Sequence, residues 1–211
     1  MEQAKKRGEL YALLNMAAQR AYARGIQTGS GGNLSARDVE AGQMIVKASG
    51  GSFADCTSEG EGFVVTKLGG ERICETDPQP TREVVLHGML YTLLPMIGGV
   101  MHCHSPWAVA YAYRHDVLPM TTQHVKLKLG HDIPILNVDS PMLLAEHVPR
   151  VRQLFEENPK LTAFILRRTR GRNRADCFPA RNSGSQSVIR DPPNARLRGM
   201  RAGFAKNRSI A

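Results

Sequence analysis

Apolar periodicity stops at Leu166, and that break separates a stretch able to bury a core from one that is not. Residues 167–211 hold 12 of the 28 Lys and Arg, 11 of them arginine, but only 2 of the 19 Asp and Glu. Gly, Pro, Asn and Ser interrupt this segment, and no period of 3.6 or 2 builds a helix face or a strand. Residues 1–166 are left with 16 basic against 17 acidic side chains, a net charge of −1. The +9 of the whole chain therefore belongs to its end, and the body gives no reason to expect nucleic acid as a partner. We read residues 1–167 as one domain. Residues 168–211 read as an Arg-rich tail, either a basic arm for nucleic acid or an anionic surface or a segment without a designed fold, disordered or out of frame.

A chain of 211 residues is long enough to bury a core without disulfides or a metal staple. Cys56, Cys74, Cys103 and Cys177 are scattered with no C-x-x-C, which argues against a disulfide framework and a cysteine zinc knot and favours a reducing, cytoplasmic setting. No signal-like segment opens the chain, and no apolar run approaches the roughly 18 residues of a membrane span.

In chain order, Lys5 to Arg24 is expected as an amphipathic helix closed by Gly25. Strands are expected at Leu34 to Arg37 and Met44 to Ala48, then a strand pair at Gly62 to Leu68 and Arg72 to Glu75. Thr81-Arg82-Glu83 opens a helix through Leu94, with Val84, Val85, Leu86, Leu90 and Leu93 as its buried side and Glu83 in its first turn, where the macrodipole favours a carboxylate. After a short helix from Ser105 to Tyr113, residues 117–129 are expected to be extended with turns. Ile133 to Val138 reads as a strand, Met142 to Asn158 as a helix and Leu161 to Leu166 as a last strand. The early strands lie close in sequence, so the sheet should be mixed and largely antiparallel, with helices on both faces.

Three features carry chemistry. In Gly98 to Trp107, GGVMHCHSPW, strand alternation points His102 and His104 to one side and Met101 and Cys103 to the other. Imidazoles at i and i+2 can share a divalent ion if neighbours add ligands; they can equally be the polar face of an edge strand. Thr28-Gly-Ser-Gly-Gly-Asn33 and Ser49-Gly50-Gly51 are small-residue turns beside neighbouring strands, where backbone N–H groups can converge on one anion. Thr81 and Arg82, at a helix start, suit the same phosphate. His87, four residues after Glu83 on the same helix face, is placed to be an extra ligand but is read as a structural histidine.

Together, Thr28-Gly-Ser-Gly-Gly-Asn-Leu-Ser35, Ser49-Gly50, Pro80-Thr-Arg-Glu83 and His102-Cys-His104-Ser-Pro106, in this order and spacing, resemble the class II aldolase/adducin family over about residues 7–167. The resemblance implies a three-layer α/β/α domain, a cyclic homotetramer with active sites between subunits, and a divalent metal, typically Zn2+. His102 and His104 match the family's paired metal ligands. Glu83 matches its acidic residue, which touches the metal and acts as the base. Gly32, Asn33, Ser49, Gly50, Thr81 and Arg82 match its phosphate-binding positions. Arg82 stands where the family more often has serine, and a guanidinium suits a carboxylate as well as a phosphate. The implied reaction is aldol cleavage of a small sugar phosphate or related hydroxy-ketone through an enediolate, with 4-epimerisation or dehydration as variants. The family's additional proton donor falls near Gln123 and His124, neither of which is assigned that role.

The departure comes at the end. The family's third histidine ligand follows the last strand, yet Arg168-Thr-Arg-Gly171 stands there and no histidine occurs after His147. Such a change within two residues is what an out-of-frame continuation of a gene produces. The expectation is a domain lacking its C-terminal elements, with weakened metal binding and turnover. The alternative is a non-catalytic remnant or an adducin-like interaction module.

Overall fold

The structure is a computed structural model that describes residues 2–27, 29–138, 145–168 and 175–179. Its first element, α1 (Glu2–Ala23), ends as Gly25 predicts. Gly25 takes φ 65°, its N–H bonds to Tyr22 O at 3.0 Å, and Ile26 N–H reaches back to Ala21 O at 3.1 Å. These two bonds satisfy carbonyls that the helix end would otherwise strand.

The next strands, β1 (Asn33–Asp38), β2 (Gln43–Lys47) and β3 (Phe63–Lys67), are joined by β4 (Gly99–His102) in an antiparallel sheet of order β3-β2-β1-β4. Alternation sorts their side chains. Leu34, Ala36 and Ile45 pack under Leu14, Ala18 and Ala21 of α1. Met44, Val46 and Val100, from the opposite face, pack under α2 (Val84–Leu93). Asn33 and Ser35 share this second face, as does His102, the Cα partner of Asn33.

A second sheet, β5-β6-β7-β8, is built from β5 (Val117–Leu118), β6 (Ile133–Val138), β7 (Ala163–Arg168) and β8 (Ala175–Pro179). Only β6 and β7 run parallel. One face of β6 and β7 meets α3 (Pro106–Ala112) and α4 (Gln123–Leu129) through Ile133, Ile135, Ala163 and Ile165. The other joins the α2 core together with Val151 and Phe155 of α5 (Val148–Glu157). That shared core and the approach of β4 to β8 complete an α/β/α sandwich with helices on both faces, as expected. Among the described residues no helix is long and apolar enough to cross a membrane.

Four local expectations are corrected. Residues 123–129 are helical, because Thr122 caps Val125 N–H at 3.3 Å and Gly130, at φ 76°, supplies the left-handed stop. Residues 72–75 form a single bridge, Thr66 to Arg72, because the Arg72 guanidinium curls the segment onto Glu75 O at 2.5 Å and Asp77 O at 2.6 Å. Val85 is 60% exposed, since α2 turns His87 and Gly88 toward the sheet. Finally, residues 175–179, assigned to a tail without elements, pair antiparallel along β7 and satisfy an edge that would otherwise present open N–H and C=O groups. The rest of the tail, and residues 142–144 of the expected helix from Met142, lie outside the described residues.

Candidate active site

Glu83 begins the site. It is not inside the first turn of α2 but is the N-cap residue (φ −97°, ψ 12°), and its side chain makes no capping bond. Its backbone N–H instead reaches the Thr81 hydroxyl at 3.5 Å, and its carboxylate turns to the sheet. There Oε2 accepts from the Asn33 amide at 3.0 Å and from His102 Nδ1. Because the register sets Asn33 opposite His102, β1, β4 and the start of α2 meet at one point. Burial by itself raises the Glu83 carboxyl pKa, but hydrogen bonds from His102 and Asn33 and the adjacent imidazole charge hold it below the ordinary value.

The two histidines of H-x-H do share a side: their ring centroids lie 4.7 Å apart at an edge-to-face angle of 75°. In its neutral form His102, with the one proton on Nδ1 directed at the carboxylate, keeps the lone pair on Nε2, the arrangement in which a carboxylate orients a metal-binding imidazole. Among the described residues no three His, Cys, Asp or Glu side chains are grouped to hold an ion. The donor chemistry nevertheless suits a divalent metal: two imidazoles at one strand end, one of them oriented by Glu83. Sequence reading placed Glu83 among the ligands; in this arrangement its oxygen is on His102.

The glycine turn closes over the histidines. Gln27, 4% exposed, accepts the His104 backbone N–H at 2.9 Å, a contact that nothing in the sequence pattern signals. A Cβ on Gly32, at φ 65°, would come within 2.8 Å of His102 O, and one on Gly31 within 3.1 Å of His104 Nδ1. The backbone thus approaches the site as only glycine allows.

The remaining candidates lie along the segment leading into α2. Ser49 N–H bonds Gln79 O at 2.8 Å, Thr81 N–H bonds Lys47 O at 3.0 Å, and Ala48 bridges Pro80. This tethers the Ser49-Gly50 turn to Thr81, which is buried, whereas Ser49, Gly50 and Arg82 are exposed. Gln123 and His124 open α4, also exposed.

His87 is fully buried and touches both β1 side chains behind the site: Nε2 meets Asn33 Oδ1 at 2.5 Å and Nδ1 meets Ser35 Oγ at 2.6 Å. Burial pushes its pKa down to about 3, with the Glu83 charge pulling it up and His102 pushing it down. The unfolded chain takes up this proton near pH 6.5, while the folded chain refuses it until about pH 3, so stability falls as pH drops through that window. The loss between pH 7 and 5 should be about 2 kcal/mol. Glu83, depressed in the folded state, adds its own loss as pH falls from the ordinary carboxylate value through its lower folded one. Urea midpoints at pH 7 and 5 should show the larger drop, shrinking in His87→Gln; an unchanged difference would remove this account.

The chain matches the model of the class II aldolase and adducin N-terminal domain over residues 12–168, and it belongs to that family. Its fold is similar to the crystal structure of l-fuculose-1-phosphate aldolase from Thermus thermophilus (22% identity, TM-score 0.64, covering 85% of this chain and 82% of that one). It is also similar to YgbL from Escherichia coli, described as a putative aldolase/epimerase/decarboxylase (22% identity, TM-score 0.61, 85% and 80%). L-fuculose 1-phosphate aldolase from Glaciozyma antarctica is a third relative in fold (18% identity, TM-score 0.60, 85% and 64%).

Proposed function

We propose that the chain is built for aldolase-type cleavage of a small sugar phosphate, with Glu83 as the base. What supports this most directly is the position of Glu83: a helix N-cap carboxylate that does no capping and faces Asn33 and His102 instead. An ionised carboxylate beside a hydroxyl proton can take it and return it to carbon, a contribution of about 10²–10⁴-fold. His102 and His104, with Glu83 as further ligand or as the orienting partner of His102, would hold a divalent metal, most plainly Zn2+. A bound metal supplies Lewis acidity toward a carbonyl oxygen. Gly32, Asn33, Ser49, Gly50, Thr81 and Arg82 would hold the anionic end of the substrate: backbone donors from the glycine turns, hydroxyls from Ser49 and Thr81, and the guanidinium of exposed Arg82.

Epimerisation or dehydration would use the same base. A homo-oligomer, a tetramer by family resemblance, would cover Trp107, Tyr113 and Leu127 of the α3–α4 region, which are 86%, 55% and 78% exposed.

A second reading rests on the histidine count. By family resemblance a third histidine ligand follows the last strand, and Arg168-Thr-Arg-Gly171 at that position offers no imidazole to a metal. If losing an outer partner costs about 10–100-fold in affinity, losing a ligand should cost at least that. The chain as written should therefore bind metal weakly and turn over slowly, and a non-catalytic remnant or interaction module would do neither. Metal analysis after dialysis against zinc, with L-fuculose 1-phosphate as the probe substrate, separates them. Substoichiometric zinc with slow, zinc-stimulated cleavage is the expected result. No zinc and no cleavage would favour the module, while one tightly held zinc with fast cleavage would show that the third histidine is not needed.

A further inference from the structure

His87 stands where two periodicities cross. Along α2 and its cap, Glu83, His87 and Tyr91 recur every four residues and form one stripe. Along β1, Asn33 and Ser35 alternate onto the face beneath that stripe. The five side chains are linked in one path: Tyr91 hydroxyl to Ser35 Oγ at 2.7 Å, Ser35 to His87 Nδ1 at 2.6 Å, His87 Nε2 to Asn33 Oδ1 at 2.5 Å, and Asn33 Nδ2 to Glu83 at 3.0 Å. Tyr91, Ser35, His87 and Asn33 are all within 4% of full burial, so water does not compete for these groups.

Donor and acceptor capacity gives the path one direction. A carboxylate only accepts, so the Asn33 amide N–H must face Glu83 and the Asn33 carbonyl must face His87. That carbonyl also only accepts, so His87 carries its proton on Nε2. A neutral imidazole has one N–H, so Nδ1 accepts from Ser35, and Ser35 in turn accepts from Tyr91. Reversing any link sets two acceptors or two donors against each other in a buried place, which is costly.

We propose that His87 is a positioning residue for the reaction at Glu83, its Nε2 proton locking the Asn33 amide so that Asn33 donates to the carboxylate and keeps it aimed beside His102. The inference rests on Glu83 being the base of the proposed aldolase. Without the Nε2 proton, Asn33 is able to rotate by half a turn and present its oxygen to Glu83, which drives the carboxylate away. The strong burial-driven depression of the His87 pKa agrees with a neutral ring.

The test uses the full chain labelled with ring-15N histidine and observed by magic-angle-spinning 15N spectroscopy, which does not depend on oligomer size. His87→Gln identifies the His87 signals among the seven histidines. The expected wild-type form is neutral and protonated at Nε2, and that measurement needs no destabilised variant. In turnover, His87→Leu should lower kcat about 10–100-fold with KM little changed. His87→Gln, which keeps an N–H donor and a C=O acceptor, should recover most of that loss. A His87 protonated at Nδ1 overturns the proposal, as does a folded His87→Leu chain with unchanged kcat. The two readings fail separately. An Nε2–H signal without aldol cleavage by the wild type sinks the aldolase and keeps the hydrogen-bond path; an Nδ1–H signal with wild-type cleavage does the reverse.

Discussion

Glu83→Gln should lower kcat for aldol cleavage by about 10²–10⁴-fold, the range a positioned general base supplies, while moving the thermal midpoint little. The substitution conserves shape, and the glutamine oxygen can still accept from the Asn33 amide and from His102 Nδ1. What disappears is the proton-accepting charge. That charge is available at neutral pH because hydrogen bonds from His102 and Asn33 outweigh the effect of burial on the carboxyl. An ordinary helix-start glutamate would behave in the opposite way: its loss would weaken α2 by a fraction of a kcal/mol and leave turnover alone. The geometry already speaks against that, since the side chain makes no bond to the free N–H groups of α2. The check is kcat on L-fuculose 1-phosphate at high enzyme concentration with zinc present, beside a melting curve. Turnover within a few-fold of wild type would end the assignment of Glu83 as base.

The parts of this arrangement that were legible in the chain are those carried by period. Alternation placed His102 and His104 on one side, and the register then brought His102 against Asn33. The spacing of Glu83, His87 and Tyr91 was equally visible, but a histidine at helical spacing beside leucines resembles any core histidine. Only the face of β1 crossing beneath it distinguishes His87, and sequence alone does not specify which strand that will be. Gln27 carried no signal, because its role comes from a turn folding back onto His104, just past β4 and 77 residues away. Residues 123–129 misled for a local reason: Val125, Leu127 and Leu129 alternate like a strand. Thr122 and Gly130 were the better evidence, since a helix with both ends satisfied tolerates an apolar pattern of the wrong period. The glycine turn was read for its possible contact with an anion, yet Gly31 and Gly32 are equally required by protein atoms, Gln27 and the two histidines.

Gly88→Ala should destabilise the protein by about 3 kcal/mol, at the upper end of overpacking costs. For a chain of this size that lowers the thermal midpoint by about 6–12 °C. Helix propensity alone predicts the opposite sign, a gain of about 0.5–1 kcal/mol from replacing a mid-helix glycine. The decisive contact is the one α2 makes at Gly88: a Cβ there would stand 1.6 Å from Leu68 O, with the Leu68 carbonyl carbon at 2.7 Å. Both are backbone atoms just beyond β3, so no side chain can swing aside and α2 itself has to lift. Because α2 carries His87 and Tyr91 and begins at Glu83, that movement pulls the carboxylate from Asn33 and His102 and should reduce metal affinity as well as stability. Gly8→Ala is the control: it lies within α1 with nothing within 4 Å of the added carbon, so it should gain the full propensity term. Paired melting curves decide the matter. If both substitutions raise the midpoint, α2 does not sit on β3 as closely as the path from Tyr91 to Glu83 requires.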